Sequence, residues 1–394
     1  MSKNRDYDMK GIKTMSFSRT HMPEIVCGRG SIAFVKTLHK KRIAILGYAD
    51  SIKQLAEDLF SDTDAEVFYV GTFDREPLIS DLFTHLEGVS AFEPDLFLAI
   101  GGGSVMDMAK GLHLFYENPD LKFEDALKPF TLPELGTKAD AVFVPTTSGT
   151  GSEASSAAVF INPETRVKNL ILSNTLIPRY AVVDADFTDQ LPDSVLKASA
   201  LDALSHAIEA TTAKNTSSFT KAIATQAALD ILEYLPIATD AVSEQRMEAR
   251  EKVHMAATFA GIAITNSFTG IVHSYDHPGP AFDLPHGTVC GIMLPYSMKF
   301  VGPHESYACI ARRLGYNGTT ETLSERLSDH ILEFSRKLGL QTTFAALGID
   351  ADQYFSLVPR WAEISLQGMA TKMSPANMNV EKGVKFYTLC YHGL

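Results

Sequence analysis

Cysteine is scarce in this chain. Its 394 residues include only Cys27, Cys290, Cys309 and Cys390, and no two of these form a CxxC pair. That excludes a cysteine zinc finger, argues against a disulfide framework, and suits a reducing cytoplasm. Basic charge is also in short supply. Thirty-five Lys and Arg face 47 Asp and Glu, the formal net charge is −12, and no basic run is longer than "HKKR". Nucleic acid and anionic membrane are therefore poor partners, because both recruit basic patches. No uncharged apolar window approaches about 20 residues, so no membrane span is expected. The opening "MSKNRDYDMKGIK" is charged and lacks the apolar centre of a secretory signal. There is no internal repeat and no low-complexity tract.

What is present suits a globular protein: 45% hydrophobic and 21% charged residues. The length exceeds what one core usually serves, so two domains are expected. The first half alternates strand-like and helix-like runs. "RIAIL", "EVFYV", "DLFLAI", "AVFVPTT" and "YAVVDADF" read as strands. "SIKQLAEDLF", "PLISDLFTHLEG" and "VMDMAKGLHLF" read as helices, the second opened by Pro77 and closed by Gly88. Such alternation predicts a parallel sheet with helices on its faces. Beyond Leu191 the runs are helical, from "SVLKASALDALSHAIEATT" through "FTKAIATQAALDILEYL", "SEQRMEAREKVHMAATFAGIAI" and "TLSERLSDHILEFSRKLG" to "VEKGVKFYTLCY". The expected division is an α/β domain over residues 1–190 and a helical domain over 191–394, with Pro192 and Asp193 in the first turn of the opening helix.

Two loops follow predicted strands. "LFLAIGGGSVMDMAK" places Gly101, Gly102, Gly103 and Ser104 between a strand and a helix. Glycines let backbone approach a pyrophosphate, and the free N–H groups of a helix start attract anions. The alternative is a tight strand-to-helix turn, and the run does not match GxGxxG. "VPTTSGTGSE" offers hydroxyls and two glycines, suited to a ribose or phosphate clasp or to a polar surface loop. Taken together they favour a ligand, because the carboxyl ends of parallel strands are where such folds bind one.

The stretch "LDALSHAIEA" puts Asp202 and His206 on one face of an otherwise apolar helix. A buried unpaired carboxylate is costly. Either a local Asp–His hydrogen bond or a metal ion relieves it. "GIVHSYDHPGPAFDLPHG" adds His273, His277 and His286 in an apolar, Gly/Pro-rich stretch. One Asp and three neutral His give a divalent ion a site of net charge about +1, a Lewis acid able to hold an alkoxide. Such ligation suits Fe(II), Zn(II) or Mn(II).

In their order and separation, "GGGSVMDMAK", "PTTSGTGSE", "DALSHAIEA" and "HSYDHPGPAFDLPHG" resemble the iron-containing (group III) alcohol dehydrogenases, and the likeness covers nearly the whole chain. It implies an N-terminal α/β dinucleotide-binding domain with a parallel sheet and an all-α C-terminal domain. It also implies an aldehyde reductase or alcohol dehydrogenase acting on small aldehydes, primary alcohols or diols with NAD or NADP, and a homodimer or higher homo-oligomer. Asp202, His206, His273 and His286 match the metal ligands, and His277 matches a histidine beside the nicotinamide. Gly101, Gly102, Gly103, Ser104 and Asp107 match the pyrophosphate loop. Thr146, Thr147 and Thr150 match the second clasp, and Lys168 matches a lysine that reaches the cofactor ribose.

Three features depart from the family pattern. The His273–His286 segment is one residue shorter than usual, with Pro278 and Pro280 stiffening it. Gly47 ends the first strand where many NAD-using members carry Asp, which opens the way to NADP, although Asp50 supplies a carboxylate nearby. Glu76 stands in "DREP" where Asn-Pro is more usual. Phe160, Thr265, Asn266, Phe259 and Cys390 are candidate pocket residues, with ordinary packing as the alternative. The competing functions are a glycerol dehydrogenase- or dehydroquinate synthase-like enzyme of the same fold, and a non-catalytic metal- or nucleotide-binding protein.

Overall fold

Six short apolar runs form one parallel sheet in a computed structural model that describes residues 19–164 and 167–393. The charged opening segment of residues 1–13 lies outside the described residues. In chain order the strands are β1 (Glu24–Cys27), β2 (Arg42–Gly47), β3 (Glu66–Thr72), β4 (Leu96–Gly101), β5 (Asp140–Pro145), β6 (Ala157–Ile161), β7 (Lys168–Leu172) and β8 (Tyr180–Val183). The sheet order is β1-β8-β5-β4-β2-β3, and β6 pairs antiparallel with β7 as a separate hairpin. β4 is buried along its length. Its alternate residues serve two cores: Phe97 and Ala99 on one face, Leu96, Leu98 and Ile100 on the other. This is why it reads as a continuous apolar run and not as an alternating one.

The helices of this half are α1 (Ser51–Phe60), α2 (Ile79–Phe92), α3 (Gly103–Glu117) and the short α4 (Phe123–Ala126). Gly88 does not close α2. The helix runs on to Phe92 and ends at Glu93, whose backbone is left-handed at φ 51°. The glycine is there for room, since a Cβ on it would sit 3.3 Å from the Phe68 ring. Strand β1 and the β6–β7 hairpin were not expected. β1 has only four residues, and the hairpin carries partly exposed positions that blur an apolar signal.

From Asp193 onward the described chain is helical. α5 (Asp193–Thr212), α6 (Ser218–Ala238) and α7 (Arg246–Thr265) are long. α8 (Ile271–Ser274) and α9 (Pro278–Ala281) are single turns leading into α10 (His286–Val301). α11 (Glu305–Arg313), α12 (Thr320–Lys337), α13 (Ala351–Ser365), α14 (Met369–Met373) and α15 (Val380–His392) complete it. One large apolar cluster joins α5, α6, α7, α10, α12, α13 and α15. Two of the contacts that tie the halves together are especially close. Gly151, at φ +61°, approaches α7 so closely that a Cβ on it would lie 2.4 Å from Gly261 Cα. Arg250 is fully buried, and its guanidinium donates to the carbonyls of Thr188, Asp189 and Leu191 and to Asp193 Oδ1. No helix among the described residues is long and apolar enough to cross a membrane.

Candidate active site

The register of the sheet lines up the predicted cofactor residues. Gly47 at the end of β2 sits opposite Ile100, and Gly101 at the end of β4 sits opposite Pro145, just before Thr146. Three adjacent strand ends therefore open on one edge. The two loops touch there: a Cβ on Gly102 would lie 3.3 Å from Thr147 Oγ1, and one on Gly103 would lie 3.0 Å from Thr150 Cγ2. No side chain caps the first turn of α3, where Ser104 lies, so its N–H groups remain available to an anion. Asp107 is committed elsewhere. It accepts from Ser152 Oγ at 2.9 Å and from the Val159 N–H at 3.0 Å, pinning α3 to the second loop and to β6. Gly47 is sterically required, because a Cβ there would meet Ile52 Cβ and Tyr69 Oη at 2.8 Å. No carboxylate fits at that strand end. Asp50 accepts from Thr72 Oγ1 at 2.7 Å.

The histidine cluster is assembled by α5, α8 and α10. Asp202 and His206 share a face of α5, a helix buried on nearly every side from Ala200 onward. α10 is pressed onto it by two glycines four residues apart. A Cβ on Gly287 would lie 2.0 Å from Ala198 O, and one on Gly291 would lie 2.3 Å from Leu201 Cδ1. That close crossing brings His286, the first residue of α10, to the Asp202 carboxylate. α8 supplies His273.

Asp202 Oδ1 lies 3.3 Å from His273 Nε2, 3.4 Å from His286 Nε2 and 3.6 Å from His206 Nε2. Donors bound about 2.0–2.1 Å from one tetrahedral ion stand roughly 3.3–3.4 Å apart, so this spacing fits a divalent metal. Cys290, one turn into α10, also enters. Its Sγ is 3.5 Å from His286 Nε2 and 3.9 Å from His273 Nε2. Among the described residues, Asp202, His273, His286 and Cys290 form one set that could hold an ion, with one ligand atom from each within 4.8 Å of the others. His206 stands beside that set, stacked on His273 with ring centroids 4.5 Å apart.

The cluster is a sink for positive charge. Burial alone would raise the Asp202 pKa, yet His206, His286 and His273 hold it well below the usual carboxylate range. Burial disfavours protonated His273 and His286, but the neighbouring Cys290 and the carboxylates around each ring push both well above the ordinary histidine value. His206 goes the other way, lowered to about 3 chiefly by burial.

Each imidazole has a different outer contact. His273 Nδ1 donates to Glu209 Oε2 at 2.6 Å, and Glu209 Oε1 also accepts from the Val272 N–H at 2.8 Å. His286 Nδ1 faces Asp276 Oδ2 at 3.2 Å. Among the described residues, His206 has no carboxylate behind it; its outer neighbour is the backbone of Gly149. Neither Glu209 nor Asp276 was singled out from the sequence. Glu209 carried a readable signal, since residues 202, 206 and 209 share one helical face. Asp276 carried none, because only the fold brings it under His286.

His277 precedes α9, its ring parallel to Trp361 at 6.3 Å, its Nε2 buried without a partner and its pKa lowered by burial. Lys168, at the start of β7, pairs with Glu76 Oε1 at 2.9 Å and lies 3.8 Å from Asp276 Oδ2. The suggested pocket residues divide. Phe160 and Cys390 are fully buried core. Thr265 bonds the Ala154 carbonyl, Asn266 bonds His21, and Phe259 packs against the helical core.

Comparison with known proteins gives a consistent picture. Residues 23–185 match the family model for iron-containing alcohol dehydrogenase, and residues 197–391 match that for the C-terminal part of the Fe-containing alcohol dehydrogenase family. A NADPH-dependent butanol dehydrogenase of Clostridium saccharobutylicum is 33% identical over 379 residues, covering 94% of this chain and 97% of that one. An alcohol dehydrogenase of Thermococcus barophilus is 32% identical over 384 residues, with 93% and 97% covered. The solved structure of an iron-containing alcohol dehydrogenase from Thermococcus thioreducens superposes with a TM-score of 0.86 at 32% identity, covering 95% of this chain and 99% of that one.

Proposed function

Because the chain belongs to the iron-containing alcohol dehydrogenase family, an NAD(P)-dependent, metal-assisted class of oxidoreductase, we propose that it works as an aldehyde reductase on small uncharged aldehydes, the alcohols or diols being the products. The observation that carries this is the convergence of Asp202, His273 and His286 from three helices at edges of 3.3–3.4 Å. Asp202, His206, His273 and His286 would hold the ion, with Cys290 beside them. Fe(II), Zn(II) and Mn(II) all suit that donor set.

When bound, the nicotinamide supplies the hydride and the ion supplies Lewis acidity toward the substrate oxygen. The chain's own residues do the rest. The uncapped start of α3 and the glycines Gly101, Gly102 and Gly103 seat the pyrophosphate, and Thr146, Thr147 and Thr150 clasp it from the second loop. His277 would take a proton from water and pass it from Nε2 to the product oxygen: burial lowers its pKa, so the protonated ring gives the proton up readily, and the unpartnered nitrogen is free for the transfer. The absence of room for a carboxylate at Gly47 supports NADP over NAD, as does the NADPH-dependent relative. Glu76 and Asp276 more than offset the charge of Lys168, which supports an uncharged substrate over an anionic one. The family likeness supports a homodimer or larger homo-oligomer.

The test is metal analysis of the purified protein, followed by an aldehyde panel with NADH and NADPH in parallel. We expect about one divalent ion per chain and oxidation of NADPH by small aldehydes. A metal-stripped preparation that reduces aldehydes at an undiminished rate overturns the metal's role. A substrate consumed with no net change in nicotinamide absorbance would favour the dehydroquinate synthase-like alternative.

A further inference from the structure

Asp276 sits where the two halves of the site meet. Its Oδ2 faces His286 Nδ1 at 3.2 Å on one side and Lys168 Nζ at 3.8 Å on the other. Lys168 belongs to β7, and through Glu76 at 2.9 Å it reaches the loop between β3 and α2. That loop is itself fixed to β6 by the hydrogen bond from Ile161 N–H to Pro77 O. A run of four charged or ionisable side chains, Glu76–Lys168–Asp276–His286, therefore crosses from the sheet half to the metal cluster. The carboxylate is mostly covered, with 17% of its side-chain surface exposed.

We propose that Asp276 is a positioning residue for the metal. Its carboxylate fixes His286 with Nδ1–H outward and the Nε2 lone pair toward the ion, while Lys168 tempers how strongly it does so. This rests on the reading of His286 as a metal ligand. An outer carboxylate sets the tautomer and ring orientation of a ligating histidine and makes it a better donor. Glu209 serves His273 in the same way, but Glu209 is anchored on α5 and also holds the Val272 N–H. Asp276 has no such second duty toward the metal half. Its other neighbour is a cation, which withdraws some of its negative charge from the imidazole. Removing Asp276 and removing Lys168 therefore have opposite consequences for the ion, although each breaks the same contact between the halves.

The experiment is Zn²⁺ affinity measured by competition with a chromophoric chelator on the full-length protein, in wild type, Asp276→Ala, Asp276→Asn and Lys168→Met. Asp276→Ala is expected to weaken binding about 10–100-fold. Asp276→Asn keeps the size and an acceptor oxygen but loses the charge, so a smaller loss of several-fold is expected. It also serves as the reading if the alanine variant does not fold. Lys168→Met is expected to leave the affinity unchanged or tighten it. Wild-type affinity in a folded Asp276→Ala, or in Asp276→Asn where only that variant folds, overturns the proposal. So does an equal weakening by Lys168→Met, since the effect would then run through contact between the halves and not through the imidazole. A wild-type protein that binds no metal overturns this proposal and the proposed function together, whereas normal wild-type binding with either of the other two results leaves the proposed function standing.

Discussion

The two sides of the site are made of opposite materials. The side proposed for the nucleotide is built from what is missing: Gly101, Gly102 and Gly103 bring backbone to the sheet edge, and the contacts between loops are made by threonines at 3.0–3.3 Å from where a Cβ would stand. The proposed metal side is built from charge: Asp202, Glu209 and Asp276 surround three imidazoles at 2.6–3.6 Å. A surface of the first kind is damaged above all by added volume, because it carries no charged side chain to lose. A cluster of the second kind is damaged by lost charge or a lost donor. Substitutions on the two sides should therefore fail in separable ways, one in cofactor affinity and the other in metal content.

The largest effect is expected from His273→Ala. It removes a donor and leaves Glu209 buried without the ring it accepts from, so bound metal should disappear. Turnover should fall on the order of 10³-fold, corresponding to the several kcal/mol that a Lewis acid supplies. NADPH affinity, read by fluorescence quenching, should stay within about twofold of wild type. A comparable loss of NADPH binding would show that the two sides are not separable. The mirror experiment is Gly103→Ala. Its methyl would press on Thr150 Cγ2 at 3.0 Å, an overpacking cost of about 1–3 kcal/mol. The cofactor KM should rise roughly tenfold with metal content unchanged. Adding Thr150→Ser removes the opposing methyl, keeps the hydroxyl, and should restore most of the affinity. No recovery in the double variant would place the fault in the backbone and not in the loop contact.

How far each side could be read from sequence follows from the same contrast. The glycine loops are legible only as a pair: Gly101–Gly103 alone reads equally as a tight strand-to-helix turn, and it is the second loop at a neighbouring strand end that favours a ligand. Asp202 and His206 are legible because a carboxylate and an imidazole four apart in "LDALSHAIEA" have no place in an apolar helix unless something satisfies them. Cys290 was not legible as a neighbour of the site. It is a small apolar-looking residue in a buried helix, and only the close crossing at Gly287 and Gly291 turns it toward His286. Asp276 and Lys168 are separated by more than a hundred positions, and their meeting depends on a hairpin, β6–β7, whose partly exposed strands gave no strong pattern. α10 was obscured by its own composition, because Pro295 lies inside it and two glycines lie in its first turns. What the sequence hides here is mostly close approach between distant segments.

His254 offers an effect confined to acid pH and absent at neutrality, and it lies where the two sides join. It is a buried residue of α7, and its Nδ1 is 3.0 Å from Ser148 Oγ in the second cofactor loop. Burial lowers its pKa to about 4 from an ordinary value of 6.5. Between those two values the unfolded chain binds the proton and the folded chain does not. The stabilising contribution is therefore complete above about pH 6.5 and is lost progressively as the pH falls toward 4. At pH 5 the loss should be about 2 kcal/mol. In metal-loaded protein, where the ligand histidines are tied to the ion, His254→Gln should flatten that part of the acid slope in denaturant-unfolding free energy while leaving metal content unchanged. An unchanged slope in His254→Gln would mean that acid opens the molecule elsewhere, and that the junction between the loop and α7 is not its pH-sensitive point.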